Sequence, residues 1–160
     1  MNRPLDNQSG AWRRVAITAA LALLAAVWPL PEWGNSLRPE FVAMVVIYWV
    51  VVAPFRIGMV FAWSLGLLLD ILQGAVLGQH ALALTVLAYL CFLFHRRLAM
   101  LSPFGQALSV VLLILVYRLI GYWVHNATGG SHYSLQLLLP AATTALAWPA
   151  IKGVLDRSRF

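Results

Sequence analysis

The sequence predicts an all-α integral membrane protein: six transmembrane helices, the second and third short, in a single polytopic membrane domain over residues 1–160. Two observations carry this. The chain is 62% hydrophobic and only 10% charged, where a soluble domain has roughly 25% charged residues, so it lacks the polar atoms to cover a globular surface. Its apolar runs are also separated by short clusters of Arg, Pro and Gly, and they show almost none of the polar faces that soluble helices carry.

A hydrocarbon core about 30 Å thick needs about 20 helical residues. The first helix is expected over 13–30, behind Arg13-Arg14 and closed by Pro29 and Pro31. A basic start and an apolar middle also fit a signal peptide, but "AAVWPLPEW" is a poor cleavage site and further spans follow, so it reads as a retained span. The run from 41 to 72 is too long for one straight span. Pro54 breaks it and Arg56 is costly at mid-bilayer, giving helices over 41–53 and 57–72. A re-entrant hairpin is the alternative for this short pair. "LQGAVLGQHA" forms a Gly-containing turn before a fourth helix over 79–94, which stops at His95-Arg96-Arg97. Ser102 as cap and Pro103 in the first turn open a fifth over 103–124. After the polar "HNATGGSHY" loop, Ser134 opens a sixth over 134–154, which Pro140 and Pro149 are expected to bend.

The net charge of +6 could suggest a nucleic-acid partner, but the basic residues sit between apolar runs, as they do when they orient a chain in a bilayer. With the N-terminus inside, Arg3, Arg13, Arg14, Arg56, Arg96, Arg97, Lys152, Arg157 and Arg159 are cytoplasmic, while Arg38 lies opposite with Glu32 and Glu40. Both termini are then cytoplasmic. The hairpin alternative moves only Arg56. Trp28 and Trp33, and later Tyr122 and Trp123, supply aromatic belts at the outer surface. No nucleic-acid binding is expected.

One charge stands out. Gly58, Ala62, Gly66 and Asp70 recur every four residues, which puts them on one helix face where small residues admit a close neighbour. Asp70 ends that face. Arg118, in "LVYRLIGYW", lies at a similar depth. Two readings stay open: Asp70 and Arg118 pair within the bundle, or Asp70 accepts turn amides near Gly74 while Arg118 snorkels outward. No catalytic set emerges. His80, His95, His125 and His132 are scattered over both sides, Cys91 is alone, and Gly129-Gly130 has no phosphate-loop context. No enzyme, cofactor or metal is expected.

The order of motifs from Arg38 to Leu84 resembles the bacterial rod shape-determining MreD family. The resemblance rests on Arg38-Pro39 before the second helix, Tyr48-Trp49, and Pro54 with Arg56 at the turn. Gly66-x-x-x-Asp70, Gly74, Leu77-Gly78 and the late Trp148-Pro149 complete it, while Arg118 matches no family motif. It implies a non-enzymatic inner-membrane component of the complex that elongates the lateral cell wall. The implied partners are MreC, the actin-like MreB, and RodA with its penicillin-binding transpeptidase, and the implied fold is similar to the substrate-binding subunits of energy-coupling-factor vitamin transporters. The site expected is the outer turn from Asp70 to His80 with Arg38-Pro39 nearby, either a partner-docking edge or simply a tight turn allowed by Gly74 and Gly78. The Arg pairs at 13–14 and 96–97 could meet anionic lipid or the filament, although orientation alone explains them. The alternative function is a small-molecule, vitamin-like binding subunit of a transporter, for which Gln73, Gln79, His80, Asn126 and Ser131 are the polar material on the outer side.

Overall fold

The computed structural model describes residues 6–29, 31, 38–54, 58–129 and 138–157. They form six helices: α1 (Asp6–Val27), α2 (Phe41–Val52), α3 (Met59–Gln73), α4 (Gln79–Met100), α5 (Pro103–Ala127) and α6 (Leu138–Arg157).

α2 is the core. Its sequence, "FVAMVVIYWVVV", is apolar all round, and every residue from Val42 to Val50 is buried. α1, α4, α5 and α6 all pack on it, while α3 lies outside against α4 and α1. α1 and α3 turn small residues inward, on α3 beside Leu65 and Leu69, whereas α4 and α5 bury larger side chains such as Leu84, Leu87, Ile114 and Tyr117. On α1 the buried stripe is Val15, Ala19, Ala22 and Ala26, and the exposed face carries Ile17, Leu21 and Leu24. On α3, Ala62 and Gly66 face inward, and Val60, Trp63, Leu68 and Ile71 face outward. Small residues inside admit close backbones, and a large apolar exterior suits hydrocarbon as solvent. α4 and α5 are each long and apolar enough to cross a bilayer, whereas α2 and α3 are apolar but shorter.

Several helix ends depart from the expectation, each for a local reason. α1 begins at Asp6 and runs through Arg13-Arg14, because Arg is a good helix former and marks a bilayer boundary, not a helix boundary. It stops at Val27 because Pro29 disfavours helical geometry at Trp28. α4 likewise passes through His95-Arg96-Arg97 to Met100. There Leu101 turns extended and Ser102 caps α5, its Oγ accepting the Gly105 N–H at 3.2 Å, with Pro103 in the first turn. Pro140 falls in the first turn of α6, where its missing N–H breaks no helical bond, so Pro149 is the interior proline. Arg3, Glu32, Trp33, Arg56, Gly130, Ser131, His132, Ser134 and Arg159 lie outside the described residues.

The Tyr48-Trp49 pair ties α2 to its neighbours. The Tyr48 hydroxyl donates to Asp156 Oδ1 at 2.7 Å on α6, and Trp49 Nε1 donates to Thr18 Oγ1 at 2.9 Å on α1. Asp156 thus partners a buried tyrosine from within α6.

Candidate functional site

The Asp70 turn is built from its glycines. A Cβ placed on Gly66 would stand 2.4 Å from Ala81 Cα and 2.7 Å from the His80 carbonyl oxygen, so α3 and α4 touch backbone to backbone there. One turn later Asp70 is fully buried. Gly74 then closes α3 in the left-handed conformation, φ 63°, and the Ala75 N–H returns to the Asp70 carbonyl at 3.0 Å. Gly78, φ 98°, starts α4.

This geometry delivers the first amides of α4 to the Asp70 carboxylate. Oδ2 accepts the Gly78 N–H at 2.9 Å and the Ala81 N–H at 3.4 Å. Oδ1 accepts the His80 N–H at 2.8 Å and faces His80 Nδ1 at 2.8 Å. The carboxylate therefore satisfies helix-start donors and lies at the positive end of the α4 dipole. With Nδ1 against a carboxylate oxygen, a ring hydrogen is assigned to Nδ1, which donates it to Asp70.

Arg118 goes elsewhere. Its Nη2 donates to Glu40 Oε1 at 2.6 Å, so of the two open readings the structure does not form the Asp70–Arg118 pair. Asp70 has its oxygens filled by α4 before any α5 cation can reach them, and Arg118 meets the carboxylate at the start of α2. The turn-amide reading of Asp70 is the one the geometry supports; outward snorkelling of Arg118 is not. Glu40 is itself anchored, its N–H donating to the buried Thr144 Oγ1 at 3.0 Å. Arg38 donates through Nη1 and Nη2 to the carbonyls of Ala26 and Trp28, which closes the C-terminal end of α1.

These groups surround one cavity of about 580 Å³ at the Arg38 end of the bundle. Arg38, Pro39, Gly74, His80 and Arg118 line it, with Asp70 and Gly78 directly behind the wall. The remaining motif residues lie apart from it. Gly66 forms the α3–α4 contact and Ala62 is buried one turn before it, Tyr48 and Trp49 form the inner ties of α2, and Pro54 follows the opposite end of α2. Gly58 is the residue before α3, is exposed and has no neighbour near its Cβ position, so it does not share the packed face. Of the polar residues weighed for ligand binding, Gln73, Gln79 and His80 do converge on the cavity, and Asn126 does not line it.

Glu40, Tyr117 and Tyr122 are cavity residues that sequence reasoning passed over. Glu40 had a readable signal, an acid at a helix start beside Arg38-Pro39. The tyrosines read only as span and belt residues. Among the described residues no three His, Cys, Asp or Glu side chains group as a metal site.

A six-helix bundle with a buried central helix, a lipid-suited exterior and a polar cavity at one end defines the class: a small helical membrane protein built on packing. A family model for the rod shape-determining protein MreD matches residues 7–157. The rod shape-determining protein MreD of Haemophilus influenzae is 29% identical over 138 residues, covering 86% of this chain and 85% of that protein. The chain belongs to the MreD family, a family of non-enzymatic, rod shape-determining membrane proteins. No solved structure matches it.

Proposed function

We propose that the chain is an inner-membrane scaffold of the complex that elongates the lateral wall, binding MreC directly and coupling to MreB, RodA and the penicillin-binding transpeptidase. The observation that carries this reading is the family match over residues 7–157. The Asp70 turn supports it further, because its hydrogen bonds present a rigid edge at one end of the bundle, with Arg38-Pro39 alongside. That edge is the proposed docking site for MreC.

Six spans with both termini cytoplasmic complete the reading. Arg13, Arg14, Arg96, Arg97, Lys152 and Arg157 belong to the cytoplasmic end, and Arg38 and Arg118, balanced in part by Glu40, to the periplasmic end. Spanning, not re-entry, is favoured for α2 because Tyr48 reaches Asp156 near the far end of α6. A likeness to energy-coupling-factor substrate-binding subunits draws support from the six helices and the end cavity. That cavity also favours a second reading, a ligand-binding transporter subunit.

Depletion in a rod-shaped host followed by imaging of cell outline and new wall insertion tests the scaffold. Rounding is expected, rescued by the intact gene but not by Asp70→Ala at equal protein level, with Asp70→Asn intermediate because one acceptor oxygen survives. Cells that stay rods and fail only when a nutrient is scarce would favour the transporter subunit.

A further inference from the structure

We infer that the cavity at the Arg38 end binds the phosphate group of an anionic amphiphile, with Arg118 as the main contact. The inference rests on the membrane reading above but not on membership of the rod complex.

Charge is the first observation. Arg38 and Arg118, two cations, line the cavity, and Glu40 is the one carboxylate among its lining residues. Asp70 lies behind the wall with its oxygens turned into the α4 amides, so it does not take up the guanidinium donors of the cavity.

Unspent donors are the second. Arg118 uses Nη2 on Glu40, and its Nε has no partner among the described residues. Arg38 spends both Nη atoms on α1 carbonyls and keeps an unpartnered Nε. Tyr117 is only 4% exposed, and its hydroxyl also lacks an acceptor among the described residues. Buried donors are nearly always satisfied in folded proteins, so three around one cavity point to an acceptor-rich occupant. Arg118 itself remains 28% exposed and offers the edge that Glu40 does not take.

Shape and depth choose phosphate. The donors arrive from the linker before α2, from the Gln79 side chain at the start of α4, and from α5. A tetrahedral phosphate diester can meet such diverging donors with two anionic oxygens and, more weakly, two ester oxygens set in different directions, whereas a carboxylate offers two in a plane, and Glu40 already supplies one carboxylate to this guanidinium. The volume, about 580 Å³, suits a small ligand. Phe41 and Leu69 in the wall give an apolar surface beside the charges. Trp28 and Trp123, both strongly exposed at the same end, mark headgroup depth. A lipid headgroup and a soluble phosphate ester share this chemistry.

The test uses the full chain in phosphatidylcholine nanodiscs doped with phosphatidylglycerol, with retained lipid identified by native mass spectrometry. Phosphatidylglycerol is expected to be enriched about tenfold over its bulk fraction, a Kd ratio of that size. Arg118→Gln should abolish the enrichment, while Glu40→Gln, which breaks the ion pair but keeps the cation, should retain or raise it. Gly121→Leu should also abolish it by filling the cavity, since its Cβ position meets only Gln79 Nε2 at 3.9 Å and the fold has room for it. Displacement by soluble glycerophosphoglycerol would identify a headgroup-only ligand, and resistance to it a lipid; either supports the site. No enrichment, equal loss in Arg118→Gln and Glu40→Gln, or loss on Arg96→Gln with Arg97→Gln would overturn it. Because the isolated chain is used, failure here leaves the cell-shape experiment free to succeed or fail alone.

Discussion

At Gly66 and Asp70 the fold depends on single atoms. The Gly66 contact is with backbone, which cannot rotate away as a side-chain tip can. Gly66→Ala should therefore separate α3 from α4 and destabilise the protein by about 1–3 kcal/mol, the usual cost of overpacking. Thermal unfolding in detergent measures it, and an unchanged midpoint would show that the helices part without cost. Asp70 depends on that contact, because only helices this close let one carboxylate accept the amides of Gly78, His80 and Ala81. A buried carboxylate is costly unless its oxygens are filled, and here they are. The same closeness explains why Arg118 was free to pair with Glu40, a partner that no spacing rule within a helix could reveal.

Among the elements, α2 and the α4–α5 junction show opposite strategies. α2 has 12 residues, and at 1.5 Å per residue it is about 18 Å long, well short of a hydrocarbon core. It is tolerable because protein surrounds it: α1, α4, α5 and α6 cover its sides, and Tyr48 and Trp49 anchor its lower half. The α4–α5 junction works by local chemistry. Ser102 accepts the Gly105 N–H and Pro103 presets the first turn, so the chain reverses within Leu101-Ser102. Ser102→Ala should cost about 1 kcal/mol by the loss of that cap. Chemical unfolding of the two proteins side by side would detect it, and equal curves would mean that Pro103 alone holds the turn. Much of this was legible in advance: Pro54, Ser102-Pro103 and Gly74 are breakers and caps whose effect is local. The starts and stops of α1 and α4 were not, because Arg marks where lipid ends while remaining compatible with helix.

For the whole molecule, orientation is the open quantity with the cleanest test. Cys91 is fully buried, so it leaves a quiet background for thiol labelling. Thr128→Cys follows α5 at the Arg38 end and Ala99→Cys ends α4 at the other, both at exposed positions. In intact cells an impermeant maleimide should label position 128 and not position 99, and membrane permeabilisation should expose the second. The reverse pattern would invert the proposed topology. A helical bundle in lipid gains its cohesion from close packing, since lipid offers no hydrophobic drive between helices. This is why the Gly66 contact and the polar ties of α2 matter to a chain with so few polar groups.

Composition and the positions of Pro, Gly and Arg were enough to define a six-helix membrane chain, its breaks and its family motifs, because helix termination and partition into lipid are properties of short stretches. The Asp70 turn was half legible, since glycines at 74 and 78 announce a turn and a carboxylate beside it can accept amides. Tertiary structure alone decided that Glu40 pairs with Arg118, that Arg38 closes α1, and that Tyr117 faces the same cavity as His80. Those groups come from segments as far apart as residues 26, 40, 80 and 118, and no periodicity relates them. Their meeting is set by how four helices pack on α2, a long-range property that the spacing of residues within any one helix does not encode.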